Sequence, residues 1–265
     1  MFDLPALEAA LAGTIYAGKL HFSPVTQSTN TDALDAARAG APHGSVFFAD
    51  EQLAGRGRGD HAWHSAAGQG LYVSILLRPT FPAARLTLLP LAAGLAARHA
   101  THETAGLNVD LRWPNDLLIG SRKVGGILVE GKTASSNVAH AVVGIGINVH
   151  QRTFPGNLDT PPTSLEIETS SPVSRQTLFV ELLNSLDGET LSLHDPDAVS
   201  ATLRHVQQAS TWIAGRRVHV HGPQACTGVT EGLDENGFLL VRTATGLVTV
   251  QTGGLRTAED EPKQQ

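Results

Sequence analysis

The sequence predicts an α+β protein in which a mixed, largely antiparallel sheet carries helices and is followed by a small all-β domain. Three observations predict it. Short apolar runs separated by brief turns succeed one another between residues 45 and 149, which favours antiparallel neighbours. Two helical patterns follow between 175 and 208, so that strands come first and helices afterwards. Beyond Trp212 the composition changes to short strands divided by glycine-rich turns. The expected division is a large domain over 1–211, a small β-barrel over 212–258 and a frayed, disordered tail over 259–265.

Phe2, Leu4, Leu7 and Leu11 form a stripe at helical spacing, which predicts one short amphipathic helix at the start. From Thr31 to Ala39, Ala and Leu alternate with Asp and Arg. Ser28-Thr29-Asn30 stands where an N-cap belongs, and Gly40 where the helix stops. Ser45 to Ala49 reads as a strand running into a glycine-rich loop over 50–60, and Gly70 to Leu77 as its partner, ended by Pro79. Leu86 to His102 repeats Leu and Ala at helical spacing, with Pro90 near the first turn and Gly106 past the end. Strands at 109–113, 117–119, 126–130 and 139–149 follow, then a Pro-, Thr- and Asn-rich loop over 151–164 and helices at 175–193 and 196–208. In the last part, Val218, Val220, Gly228-Val229, 238–241 and 247–250 mark strands. Asn236-Gly237 is the strongest turn signal there, because a type I′ hairpin needs positive φ at both central positions.

The 265 residues carry 19 Lys and Arg against 25 Asp and Glu, a formal charge of 19 − 25 = −6. A chain of this length hides roughly three quarters of its extended surface, enough for a core without staples. Cys226 is the single cysteine, so no internal disulfide forms and no oxidising compartment is indicated. The most apolar window, Leu86 to Ala97, is too short for a bilayer, and the N-terminus lacks the features of a signal peptide; the expectation is cytosolic. The acidic balance disfavours binding to a nucleic-acid backbone. Twelve histidines are present, yet none falls in a metal-ligand spacing, and no Gly-x-Ser-x-Gly elbow supports a hydrolase.

Four segments carry chemistry. Gln52-Leu53-Ala54-Gly55-Arg56-Gly57-Arg58-Gly59 lets backbone approach a ligand and puts two guanidiniums within reach of one anion; on spacing alone it is equally a flexible surface loop. Arg112-Trp113-Pro114-Asn115-Asp116 precedes Lys123-Val124-Gly125-Gly126, so a carboxamide and a carboxylate at a hairpin tip can face a lysine on the returning strand. In isolation an Asn-Asp pair after proline is a turn. Gly144-Ile145-Gly146-Ile147-Asn148 leaves room on one strand face or marks a bulge, and Ser28-Thr29-Asn30 caps a helix without excluding ligand contact.

In series, Ser28-Thr29-Asn30, Gln52 with the Gly-Arg-Gly-Arg loop and Trp63, Trp113-Pro114-Asn115-Asp116, Lys123 before Gly126-Ile127-Leu128-Val129-Glu130, and Gly144 to Asn148 resemble biotin protein ligases. Residues 23–150 carry the resemblance, and the segment ending Leu255-Arg256-Thr257-Ala258 resembles that family's C-terminal domain. The resemblance implies a class II synthetase-like catalytic domain with an SH3-like C-terminal barrel. It also implies activation of biotin with ATP and Mg²⁺ to biotinyl-5′-AMP, then transfer to a lysine of a biotin carboxyl carrier domain. By this resemblance Ser28, Thr29, Gln52, Gly55, Arg56, Lys123, Gly125, Gly126 and Gly144 hold biotin. Arg56, Arg58, Trp63, Asn115, Lys123 and Asn148 lie on the nucleotide side, and Lys123, Arg56 and Asp116 carry the chemistry, Asp116 orienting or deprotonating the acceptor lysine. No protein metal ligand is expected.

Only 27 residues precede Ser28, so the expectation is a ligase without the DNA-binding domain of the family's repressors; a homodimer through a sheet edge is compatible with the pattern. Two departures stand out: Gly59-Asp60-His61 where the family's loop continues with Arg and Gly, and Arg112 where Lys is common. The competing readings are a lipoate or octanoate ligase, which shares a related fold, and a non-catalytic binding protein for biotin or nucleotide.

Overall fold

The computed structural model describes residues 2–59, 61–156 and 158–257. Two expectations, the Asp60 carboxylate beside the anion loop and the frayed tail at 259–265, lie outside the described residues. Strands β1 (Leu20–Thr26), β2 (Ser45–Gln52), β3 (Gly70–Leu77), β4 (Asp110–Arg112), β5 (Asp116–Ile119), β6 (Arg122–Ala134) and β7 (Asn137–Asn148) make one sheet. Their order is β1-β2-β3-β7-β6-β5-β4, antiparallel throughout except for β1 with β2. The helices are α1 (Leu4–Ala10), α2 (Thr29–Arg38), α3 (Leu89–Ala105), α4 (Leu165–Thr169), α5 (Arg175–Ser192) and α6 (Pro196–Gln208).

β3 is buried along its whole length because helices cover both faces of the sheet. On one face Val73, Ile75 and Leu77 meet α3 and α5; on the other, Leu76 and Val142 pack against Ala33 and Ala37 of α2. Phe2 stands edge-on to Phe48 with ring centres 5.2 Å apart, and Phe48 lies 4.6 Å from Phe179, so the chain start, β2 and α5 share one aromatic knot. α3 ends at Gly106, which takes the left-handed conformation (φ 67°) and donates to the His102 carbonyl. No helix among the described residues is long and apolar enough to cross a membrane.

β1 and the short α4 are elements without a clear sequence signal. In β1 the alternation Leu20-His21-Phe22-Ser23 lasts only four residues before Pro24 interrupts it and removes a backbone donor, a substitution an edge strand tolerates. The C-terminal part holds β8 (Ala214–His221), β9 (Cys226–Leu233), β10 (Leu239–Thr243), β11 (Gly246–Val250) and β12 (Gly254–Thr257), ordered β11-β10-β9-β8-β12. The small β-barrel or barrel-like domain expected there is thus a five-stranded antiparallel sheet, and among the described residues no ladder joins β11 to β12 to close it.

The Asn236-Gly237 turn differs from expectation as well. Gly237 has positive φ (76°) but Asn236 does not, so the link is not type I′. Asp234 organises it instead, its Oδ1 accepting from the N–H groups of Asn236 and Phe238, both at 2.9 Å. This turn is also what anchors the second sheet. The Gly237 carbonyl accepts from Trp113 Nε1 at 3.0 Å, and a Cβ on Gly237 would come within 2.8 Å of Leu88 and Leu91, so the backbone is pressed onto α3. Trp113→Phe keeps the ring packing but leaves that buried carbonyl without its donor. The expected loss is about 1–2 kcal/mol in urea unfolding; an unchanged midpoint would show that packing alone holds the turn.

Candidate active site

Beyond the C-terminal end of β2, a row of polar side chains runs between α2 and the sheet. Ser28 takes the extended N-cap backbone of α2, yet its hydroxyl makes no capping bond. The cap comes from β2: Gln52 Oε1 accepts from Thr29 N at 2.9 Å and from Thr29 Oγ1 at 3.1 Å, while Gln52 Nε2 donates to Ser65 Oγ at 2.7 Å. Thr29 Oγ1 lies 2.8 Å from Ser74 Oγ, and Ser74 Oγ donates to Asn30 Oδ1 at 2.5 Å. Asn30 Nδ2 then donates to Glu130 Oε2 at 2.8 Å. Arg56 closes the row, its Nη1 and Nη2 binding Glu130 Oε1 and Oε2 at 3.1 and 2.7 Å.

A second cluster occupies the β4-β5-β6 end. Asp116 Oδ1 pairs with Lys123 Nζ at 2.5 Å, and its Oδ2 accepts from Arg112 Nη2 at 2.6 Å and Arg112 Nε at 3.0 Å. Burial alone would raise the Asp116 pKa; the two cations outweigh it and hold the carboxyl below its ordinary value. Lys123 Nζ lies 5.6 Å from the centre of the Trp63 ring. That indole lies across β7 and β6: a Cβ on Gly146 would approach Trp63 Nε1 to 2.5 Å, and one on Gly126 would be 3.6 Å from both the Trp63 ring and Lys123 Nζ. Trp63 Nε1 is buried with no protein partner.

The arginine loop folds back on itself. Trp63 N donates to Gly55 O at 2.8 Å and Gly57 N to His61 O at 2.7 Å, with Arg56 opposite Ala62. Arg58 leaves the loop in another direction and donates to the Gly253 carbonyl and Thr252 Oγ1 of the second sheet. Burial lowers its pKa and Asp116 opposes that shift.

Thr29, Gln52, Arg56 and Gly144 therefore meet in the first cluster, and Lys123, Asp116, Trp63 and Gly126 in the second. Several expected residues serve the scaffold. A Cβ on Gly125 would meet Gly146 O and Leu117 Cδ1 at 2.8 Å, so that glycine faces the sheet interior. A Cβ on Gly144 would sit 2.0 Å from Asn30 Oδ1, and one on Gly55 2.5 Å from Trp63 O; both glycines make room for the protein's own atoms. Asn115 exchanges hydrogen bonds with the Ile127 backbone, donating through Nδ2 at 2.8 Å and accepting through its carbonyl at 2.9 Å. Asn148 is buried, donates to Thr163 O at 2.9 Å and accepts from Gln151 Nε2 at 3.2 Å. Sequence reasoning read Asn30 only as part of a helix cap and Glu130 only as the end of a motif, and assigned no role to Ser65 or Ser74. Ser74, fully buried within an otherwise apolar run, was the available signal. Among the described residues, no three His, Cys, Asp or Glu side chains are grouped to hold a metal ion.

Residues 22–148, which contain both clusters, match the biotin/lipoate A/B protein ligase family, and residues 213–253 match the biotin protein ligase C-terminal domain. Over 227 residues the chain is 31% identical to the biotin–[acetyl-CoA-carboxylase] ligase of Paracoccus denitrificans, an alignment covering 83% of this chain and 93% of that relative. It is 37% identical over 166 residues to the bifunctional ligase/repressor BirA of Bacillus subtilis (strain 168), covering 62% of this chain. That match spans about half, 51%, of the relative's own length. A structure of biotin protein ligase from Aquifex aeolicus in complex with biotin and ATP is similar with a TM-score of 0.77 at 28% identity, over 90% of this chain and 98% of that one. With the matched segments enclosing the polar row, the cation cluster and strands β8 to β11 of the second sheet, this chain belongs to the biotin protein ligase family.

Proposed function

We propose that this chain attaches biotin to a lysine of a biotin carboxyl carrier domain in two steps. A biotin carboxylate oxygen attacks the α-phosphorus of ATP, giving biotinyl-5′-AMP and pyrophosphate. The carrier lysine's amine then attacks the acyl carbon, an amide forms, the amine's proton is released and AMP leaves. The observation that carries this reading is the meeting of an uncharged polar row with a set of fixed cations on one sheet. A buried ureido ring needs the first, since an unpaired amide-like group costs about 1–3 kcal/mol. Bringing a carboxylate onto an α-phosphate needs the second, because the approach sets two anions against each other.

In this proposal Ser28, Thr29 and Gln52 meet the ureido ring, Ser28 with a hydroxyl that caps nothing. Gly126 lies beside the bicycle and tail. Arg56 and Lys123 offset the carboxylate–phosphate repulsion, and Trp63 and Arg58 line the nucleotide side, where Asn115 and Asn148 act through the backbone they hold. Asp116 is assigned to orienting Lys123 and Arg112, since a carboxylate kept ionised by two cations is a weak base toward a lysine of reference pKa about 10.4. Both acidic groups of the site are already bound, Asp116 by two cations and Glu130 by Arg56 and Asn30, so the donor set does not fit a protein-held Mg²⁺. Mg²⁺ enters the proposal only as the companion of the nucleotide. Catalysis is assigned to residues 1–211, in the cytosol, with the carrier domain as partner.

Pyrophosphate release with ATP and Mg²⁺ is expected with biotin and not with lipoate or octanoate; release with either of the latter alone would move the chain to the sister branch of its family. Lys123→Ala is expected to lower that release by about a hundredfold while unfolding cooperatively, and near-normal release would remove Lys123 from the chemistry. Arg56→Ala is expected to weaken biotin and adenylate binding together, and a defect seen only at the acceptor step would contradict the placement of the loop. Asp116→Asn leaves two cations unpaired and is expected to destabilise by about 2 kcal/mol. Because the folded pKa of Asp116 is depressed, its contribution is complete above the ordinary carboxylate value near 4 and fades as pH falls toward the folded value. The stability gap between wild type and variant is therefore constant from about pH 6 to 8 and shrinks in acid; a gap that closes near neutrality would contradict the pairing.

A further inference from the structure

Arg56 is the loop cation tied to the polar row, and what ties it is a residue with no part in the proposed chemistry. Glu130, on β6, receives both terminal nitrogens of Arg56 in a fork, and its Oε2 also accepts from Asn30 Nδ2. Asn30 is itself immobilised: it is buried, its Nδ2 also reaches Leu128 O at 3.4 Å, and its Oδ1 accepts from Ser74 Oγ. Through Ser74 and Thr29 the contacts continue to Gln52. Every link from the Gln52 carboxamide to the Arg56 guanidinium is thus a polar contact of 3.1 Å or less.

Two roles fit a carboxylate so placed, and they have opposite signs. A counterion that merely neutralises Arg56 weakens its pull on a second anion. A fork that fixes the plane of the guanidinium removes rotamer freedom that an anionic substrate would otherwise have to overcome, while three of its five N–H donors stay available. The side chain of Arg56 is 42% exposed, so without the fork little else restrains it, and an exposed pair as such adds little to stability. The second hydrogen bond, from buried Asn30, argues for registration: it sets the carboxylate by a group whose oxygen is held by Ser74, the residue that contacts Thr29. We propose that Glu130 is a positioning residue for the first step, aiming Arg56 at the reacting carboxylate and phosphate in fixed register with the Thr29–Gln52 pair. The proposal rests on the ligase reading above.

The test is a double-mutant cycle on biotin-dependent pyrophosphate release, with Glu130→Gln, Arg56→Ala and the double variant. Glu130→Gln keeps an acceptor for Asn30 but loses the charged fork. It is expected to lower kcat about tenfold with the biotin KM changed less than about threefold, and to have no further effect when Arg56 is already alanine. An equal loss in both backgrounds would mean that Glu130 supports the fold, and a variant as fast as or faster than wild type would mean that it only screens charge; either overturns the proposal. Arg56→Lys retains the charge without the fork and probes the same point independently of how Glu130→Gln folds. A loss of similar size is expected, and full activity would overturn the proposal. If wild type itself releases no pyrophosphate with biotin, the ligase reading fails and this proposal with it, whereas normal wild-type release beside an unaffected Glu130→Gln removes the proposal alone.

Discussion

Asn30 and Ser74 meet between α2 and the sheet, and the composition of the surrounding surface follows from keeping both satisfied. A buried carboxamide has four hydrogen-bonding positions, and each left unmet costs on the order of 1–3 kcal/mol. Ser74 and Glu130 supply partners; Gly144 supplies the space, since any side chain there would collide with the Asn30 oxygen. Thr29 and Gln52 extend the same pattern to the first turn of α2, where the cap arrives from β2. The start of α2, the end of β2 and the middle of β3, β6 and β7 are thereby locked in one arrangement. Preorganisation of this kind lets donors aimed at a ligand act without first rearranging.

The cations are handled by the same logic. Among the described residues, Arg56, Arg58, Arg112 and Lys123 gather near two carboxylates, Asp116 and Glu130, a local balance of 4 − 2 = +2 in a chain whose formal charge is −6. A concentrated positive field within an acidic protein favours small anions over a nucleic-acid backbone, which needs neutralisation over a longer track. Arg58 adds a mechanical link, since its donors end on the turn between β11 and β12. The second sheet therefore touches the loop that carries the charge.

How much of this was legible depended on whether the signal was local. α3 could be read because Leu and Ala recur at its spacing and Gly106 ends it, and the approach of Lys123 to Asp116 because the two are close in sequence, although the Asn115-Asp116 tip belongs to the β4–β5 hairpin and Lys123 stands one strand further on, in β6. β1 was not, because a parallel edge strand with a proline owes its existence to β2, far along the chain. The site shows the same divide. Lys123 facing Asp116 follows from a hairpin, whereas Glu130 meeting Arg56 and Asn30 joins residues 74 and 100 positions apart. Glycines were ambiguous for a related reason: sequence shows that a side chain is missing, not whether a ligand or the protein fills the space. Gly125 and Gly144 proved to be filled from within.

Pro24 carries a consequence for assembly. Backbone pairing across a two-fold axis requires an edge with a run of unpaired N–H and C=O groups, and in β1 one of those donors is gone from the middle of a seven-residue strand. At the opposite edge, β4 is three residues long and its outer side is taken: Leu111 N donates to Ala209 O, Ser210 Oγ to Leu111 O, and Thr211 to the Asp110 carboxylate. The outer strands β1 and β4 thus offer little to an incoming strand, whereas β6 runs on past Gly126, where its pairing with β5 ends, and among the described residues no strand is paired to residues 127–134 on that side. A copy of this chain that extended the hydrogen-bonded ladder would have to enter at that stretch of β6 rather than at β1 or β4, and contacts made elsewhere on the sheet would rest on side chains, which single substitutions can change.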